Sequence, residues 1–237
     1  MTTKSISIGE EVLTPLEEAA LFLRQDPIRN PFLFSFLIGE GNERSCFFLP
    51  KNADIVLKIS RKSQAKQTRR EIKYFSFLMK KKVPFLHIPH FFGKLQTKEY
   101  ICFLQKRILN ENGKSSVTLA EYLLNLPSAD LQVKKEVLML LADFFRYLYR
   151  YNIIPCDLQT DNLLIEIKNT QKKLFIVDGL GNTDILKTTQ YFPWQGRRKI
   201  IRKIIFFLKD NPELISLFNN PQDIEPWVYE QIKNPRS

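Results

Sequence analysis

Pro155-Cys156-Asp157-Leu158-Gln159-Thr160-Asp161-Asn162 runs into an apolar segment, and sixteen residues past Asn162 comes Asp178, within Val177-Asp178-Gly179. The first carboxylate sits on a tight loop, the amide follows five residues later, and the second carboxylate stands at the exit of the next strand pair. Such a set can supply one base and two oxygen ligands for Mg²⁺ beside a triphosphate, because Mg²⁺ takes few protein carboxylates and fills its shell with phosphate oxygens and water. The Asp-x₄-Asn spacing is common by itself. What gives it meaning is the order of the polar residues around it.

The chain has 237 residues and 44% apolar content, enough to bury one large domain or two small lobes. No run reaches the roughly eighteen apolar residues of a membrane span, and the start, Met1-Thr2-Thr3-Lys4-Ser5-Ile6, lacks the apolar core of a signal peptide. A cytoplasmic location is expected. Cys46, Cys102 and Cys156 are odd in number and far apart, so neither a disulfide framework nor a zinc site is expected. His87 and His90 lie in His-Ile-Pro-His without a carboxylate or cysteine close in sequence, which argues against a metal role. The net charge of +11 and pI near 9.5 favour acidic partners. The basic residues gather at 51–70, 80–82 and 197–209 without the interleaved aromatics of single-strand binders, so nucleic acid is disfavoured as a partner.

Hydrophobic period and turn residues divide the chain. Residues 14–23 read as a short helix, and residues 1–31 as an N-terminal extension. Strand-like runs follow at 32–38, 45–49 and 54–60, separated by Gly39-Glu40-Gly41 and Pro50-Lys51-Asn52. A helix over 63–81 and strands at 91–95 and 100–104 complete a five-stranded antiparallel sheet with one helix, spanning 32–106. Residues 107–116 read as a hinge loop. The remaining 117–237 read as a helical lobe: a short helix from Thr118 with Glu121 in the capping-box position, a long helix over 130–151, a hairpin of 162–167 with 173–177, and helices at 195–208, 212–218 and 222–233.

In Ile55-Val56-Leu57-Lys58-Ile59 the two-residue period puts Lys58 and Val56 on one face, so Lys58 is a single charge in an apolar strand. Thirteen residues later, Glu71 lies four before Phe75 and seven before Leu78, on the packed side of the next helix. A buried carboxylate needs a cation, and Lys58 is the candidate. Gly39-Glu40-Gly41 offers a turn whose amides can cover phosphates, although Arg44 stands where a third glycine would complete the motif. Asp178 leads into Gly179-Leu180-Gly181-Asn182, a turn-rich exit. Gly39/Gly41, Lys58, Glu71, Asp157/Asn162 and Asp178 occur in the order and spacing of a protein-kinase-like fold.

The chain also resembles the YrbL family, named for the PhoP regulatory network and built on that fold. The likeness runs over residues 34–207. It rests on Gly39-Glu40-Gly41 with Cys46 beyond it, Arg69-Arg70-Glu71-Ile72-Lys73-Tyr74, Val117-Thr118-Leu119-Ala120-Glu121, the Asp157 loop, Val177-Asp178 with Gly181, and Trp194 before a basic helix. The resemblance implies an α+β, two-lobed fold, with a small antiparallel sheet lobe and a shortened helical lobe that together bind ATP and Mg²⁺. By likeness to kinases, Lys58 would hold the α and β phosphates, Glu71 would fix Lys58, and Val56 would sit over the adenine. Asp157 would orient or deprotonate an acceptor hydroxyl, while Asn162 and Asp178 would bind Mg²⁺. The acceptor is expected on a small molecule, a lipid-linked molecule or a protein.

Some residues depart from the kinase pattern. Gln159 replaces the catalytic-loop lysine, Gly179-Leu180 replaces Phe-Gly, and no Ala-Pro-Glu segment follows Asp178. These favour an alternative, a pseudokinase serving as a nucleotide-binding or protein-binding regulatory module. In 195–209 the cations Arg197, Arg198, Lys199, Arg202 and Lys203 alternate with Ile200, Ile201, Ile204 and Ile205. Peripheral membrane contact through this helix is weighed against a packed helix whose cations face solvent, and the packed helix is preferred.

Overall fold

The computed structural model describes residues 13–125, 131–181 and 192–233, and they form two compact units. The first contains residues up to 65 together with 91–106, and the second contains 66–90 and 107 onward. The helix that follows the third strand therefore groups with the helical unit.

The first unit is a five-stranded antiparallel sheet in the order β1-β2-β3-β5-β4. Its strands are β1 Leu37–Glu40, β2 Arg44–Phe48, β3 Ile55–Arg61, β4 Phe91–Gln96 and β5 Tyr100–Lys106. β3 and β5 are buried on both faces over their first six residues, as expected of central strands rich in branched and aromatic side chains. On one face Ile55, Leu57 and Ile59 join Phe47, Leu49, Cys102 and Leu104 in the core. That core is closed by α1, Pro15–Arg24, whose Phe22 packs edge-on against Phe47 with ring centroids 5.5 Å apart.

α1, which falls in the segment read as an extension, is thus part of this unit's core. A capping box between Thr14 and Glu17 starts α1. Its buried Glu18 accepts hydrogen bonds from the Lys51 amide at 2.6 Å and the Asn52 side chain, tying the helix to the β2–β3 turn. Asp26 likewise accepts a hydrogen bond from the Tyr100 hydroxyl. The expected strand at 32–38 is instead a 3-10 turn, Pro31–Phe36, capped by the Asn30 side chain, and only Leu37–Glu40 pairs with β2. Proline in the first turn and an Asn cap outweigh the β propensity of Phe32 and Phe34, which stay exposed.

The second unit starts with α2, Lys66–Lys80, which buries Glu71, Ile72, Tyr74, Phe75 and Leu78 at helical spacing. β6 Val117–Thr118 leads into α3 Leu119–Leu124, and the expected capping box forms: the Glu121 amide donates to Thr118 Oγ1 at 3.0 Å. α4, Leu131–Arg150, buries Val137, Leu141, Phe144, Phe145 and Leu148. It ends where Asn152 turns left-handed at φ 52° and the Ile153 amide returns to the Leu148 carbonyl.

β7 Leu163–Lys168 and β8 Gln171–Ile176 form a hairpin, and β6 pairs with β7 to make a three-stranded sheet. The hairpin turn is Asn169-Thr170, both left-handed, as a two-residue connection requires. β6 went unread because two residues carry no period, and β8 starts earlier than expected because its first residues are polar. α5 Pro193–Asp210, α6 Pro212–Ile215 and α7 Ile224–Lys233 complete the unit. Ile200 and Ile204 are fully buried, so the isoleucine side of α5 faces the core. Among the described residues no helix is long and apolar enough to cross a membrane.

His87 is buried beside α4, with Nδ1 donating to the Leu174 carbonyl at 2.8 Å and Nε2 facing Asp143 Oδ2 at 3.2 Å. The hydrogen bond from His87 holds Asp143 below the usual carboxylate range. A depressed folded-state value contributes stability fully above the unfolded value, about pH 3.9, and loses it as pH falls through the folded value.

Two outcomes follow in denaturant titrations. Phe22→Ala should cost about 3–5 kcal/mol, as removal of a core aromatic does, whereas a dispensable leader would leave the midpoint unchanged. Asp143→Asn should flatten the stability loss on acidification below about pH 4, since the variant has no carboxylate there to protonate.

Candidate functional site

The helical unit gathers the acidic residues through one backbone junction. Asn162 and Val177 extend the β7–β8 ladder, with the Val177 amide on the Asn162 carbonyl at 2.9 Å, so Asp178 is the first residue past the paired strands. Gly179 follows with φ 74°. Its carbonyl accepts both the Cys156 amide at 2.7 Å and the Asp157 amide at 3.1 Å, and Leu180 bridges to Pro155. A Cβ on Gly179 would lie 2.1 Å from the Asp157 carbonyl oxygen, a collision of backbone with backbone. This glycine is needed both for its left-handed conformation and for the close approach.

Around that junction the expected residues come together. Asn162 Nδ2 donates to the Asp157 carbonyl at 3.3 Å and to Asp157 Oδ2 at 3.4 Å, so Oδ1 is the end of the amide not used toward Asp157. Asp157 is exposed, while Asn162 and Asp178 are half-buried. Asp178 Oδ1 accepts from Gln67 Nε2 at 2.8 Å and from the Gly179 amide. Glu71, almost fully buried, accepts the Leu180 amide at 3.3 Å. Burial pushes the Cys156 thiol above its ordinary range, which suits a packing residue rather than a thiolate.

Three contributors escaped the sequence reading. Gln67 lies one turn before Glu71 on the same helix side, a spacing that marks it as a second inward polar group. Arg70 packs its side chain 3.1 Å from where a Cβ on Gly181 would stand. Lys203 of α5 donates to the Cys156 carbonyl at 2.9 Å, next to Asp157, and nothing in its local sequence signals this.

In the sheet unit, Lys58 is buried at 6% exposure and lies in register with Cys46 and Phe103, on the same face as Val56. Lys58 and Glu71 are both buried, as the strand period and the helix spacing predict. Lys58 Nζ stands 5.6 Å from the Phe103 ring centroid, and the buried Arg44 guanidinium stands 5.9 Å from it. Arg44, at the position of the missing glycine, therefore adds a second cation to the Lys58 face. Gly39 and Gly41 are exposed, neither is left-handed, and the Gly41 amide already donates to the Arg44 carbonyl at 2.8 Å. As a turn they make an ordinary hairpin. His87 is committed to Leu174 and Asp143, and among the described residues no group of three or more His, Cys, Asp or Glu is arranged to hold a metal.

An antiparallel sheet in this order with a buried lysine on its third strand, and a helical unit that locks an Asp-x₄-Asn loop onto an Asp-Gly turn, make an α+β fold whose elements follow the order expected of a kinase-like protein. The model of the family described as PhoP regulatory network protein YrbL matches residues 35–211, and the chain belongs to that family. The uncharacterized protein YrbL of Escherichia coli strain K12 is 24% identical over 169 residues, covering 68% of this chain and 78% of the relative. The Shigella flexneri YrbL matches to the same extent. Among solved structures, a double mutant of the Mycobacterium tuberculosis PknI kinase domain is similar at 9% identity and a TM-score of 0.49, over 83% of this chain and 93% of that one.

Gly179→Ala should destabilise the chain by about 1–3 kcal/mol from the left-handed backbone, with the collision adding to this. Gly39→Ala has open space and no left-handed φ, so its midpoint should move by no more than about 0.5 kcal/mol. Urea titration of the pair separates a required close approach from a general cost of adding a methyl group.

Proposed function

We propose that the chain is an ATP- and Mg²⁺-dependent phosphotransferase whose acceptor is a hydroxyl on a small molecule, a lipid-linked molecule or a protein. The observation that carries this reading is the junction at Gly179, which brings Asp157, Asn162 and Asp178 to one place in the helical unit. Asn162 Oδ1 and the Asp178 carboxylate are hard oxygen donors, and two such groups suit Mg²⁺ when phosphate and water supply the rest of its shell. Bound there, Mg²⁺ would neutralise charge on the β and γ phosphates. Gln67 and the Gly179 amide fix the Asp178 carboxylate, and Asn162 fixes Asp157.

In the proposed step Asp157 orients the acceptor hydroxyl. The acceptor oxygen forms a bond to the γ phosphorus while the bond from that phosphorus to the β–γ bridging oxygen breaks, ADP leaves, and the hydroxyl proton passes to Asp157 and on to solvent. Lys58 and Arg44 are assigned to the phosphates and Val56 to the adenine. Lys203, held against the Cys156 carbonyl, supplies positive charge next to the loop in which Gln159 stands in place of a lysine.

Thermal unfolding tests the reading. Mg·ATP at a hundred times its Kd should stabilise the wild type by about 2.7 kcal/mol, and the increment should vanish for Asp178→Ala and without Mg²⁺. Stabilisation without any phosphoryl transfer across an acceptor screen would favour the pseudokinase alternative. No response to millimolar Mg·ATP would overturn the phosphotransferase and the nucleotide-binding module alike, and leave a protein-binding module.

A further inference from the structure

The exposed side of α5 is unlike an ordinary solvated helix face. Ile200 and Ile204 are buried and Ile201 and Ile205 half-buried, and the exposed stripe consists of Trp194, Arg198, Arg202, Phe206 and Lys209, which fall within about 120° of arc at 100° per residue. Trp194 is 58% exposed, Phe206 67%, and Phe192, just before the helix, 52%. Beside this stripe runs a groove of about 860 Å³ whose lining includes Arg198, Lys199, Arg202, Lys203 and Lys209 against one carboxylate, Glu225.

We infer that this face docks on an anionic membrane surface, with the groove taking lipid phosphates and the aromatics entering the interface. Large aromatics held in water at both ends of a cationic stripe are the composition of an interfacial anchor, where rings sit at headgroup level and cations meet acidic lipid. Trp194 and Phe206 are twelve residues apart, about 18 Å along the helix, with no other exposed aromatic between them. A single-stranded nucleic acid asks instead for stacking platforms repeated among the cations. The chain's charge of +11 supplies the long-range attraction. Lys203 on the flank of α5 holds the Cys156 carbonyl, so the Asp157 loop is anchored to the helix that docks. The docking itself does not depend on phosphotransfer.

The test uses the full chain carrying Trp227→Phe, which leaves Trp194 as its single tryptophan. Trp227 packs on Phe145 and Phe218, so circular dichroism first checks that the variant is folded. Vesicles of phosphatidylglycerol should sediment the protein and shift Trp194 emission to the blue, whereas phosphatidylcholine vesicles should do neither. Arg198→Glu with Arg202→Glu should weaken sedimentation at least tenfold, and Phe206→Ala should weaken it without changing its salt dependence. Failure to bind phosphatidylglycerol vesicles at low salt would overturn the inference. So would binding with unchanged Trp194 emission, which would place the contact elsewhere, or an equal emission shift with a single-stranded oligonucleotide, which would assign the face to nucleic acid.

Discussion

One carbonyl organises the helical unit's polar centre. Gly179 accepts the amides of Cys156 and Asp157 at once, and it does so from a left-handed backbone at a distance where no side chain fits. Neighbouring features follow from this. With the two loops fixed, Asp178 is held by its own neighbour's amide and by Gln67, Asn162 turns its NH₂ toward Asp157, and Leu180 is positioned to donate to Glu71. The β7–β8 hairpin sets the register that delivers Asn162 and Val177 opposite each other, so strand pairing and loop junction specify the same arrangement.

Buried charge is the second organising constraint. In the helical unit Glu71 is satisfied in part by the Leu180 amide. In the sheet unit Lys58 and Arg44 share the face of Phe103, where an aromatic ring partly replaces lost hydration. Burying an ammonium among branched strand residues costs stability. α1 supports that strand from the opposite face through Phe22 and its buried Glu18, so a segment remote in sequence from the polar residues keeps β3 in place.

Much of this was legible in the sequence because it depended on short-range pattern. The period of β3 marked Lys58, the spacing of Glu71 to Phe75 and Leu78 marked the packed side of α2, and Thr118 with Glu121 announced α3. The parts that escaped depend on contacts distant in sequence. Gln67 meets Asp178 across 111 residues and Lys203 meets Cys156 across 47; spacing marks Gln67 as inward, but no local pattern names either partner. The 3-10 turn at Pro31–Phe36 was misread because aromatic content imitates a strand when Pro31 and the Asn30 cap are given too little weight. Gly39 and Gly41 stand out in the sequence but have no left-handed φ, whereas Gly179, within a less conspicuous run, does.

The most direct measurement is nuclear magnetic resonance of the labelled chain titrated with Mn²⁺ and ATP, with Mn²⁺ as a paramagnetic substitute for Mg²⁺. If Asn162 and Asp178 bind the metal of a nucleotide complex, the amide resonances of residues 162 and 178–179 should broaden first and only when ATP is present, and Asp178→Ala should abolish the effect. Broadening centred elsewhere, or the same broadening with Mn²⁺ and no nucleotide, would contradict the account.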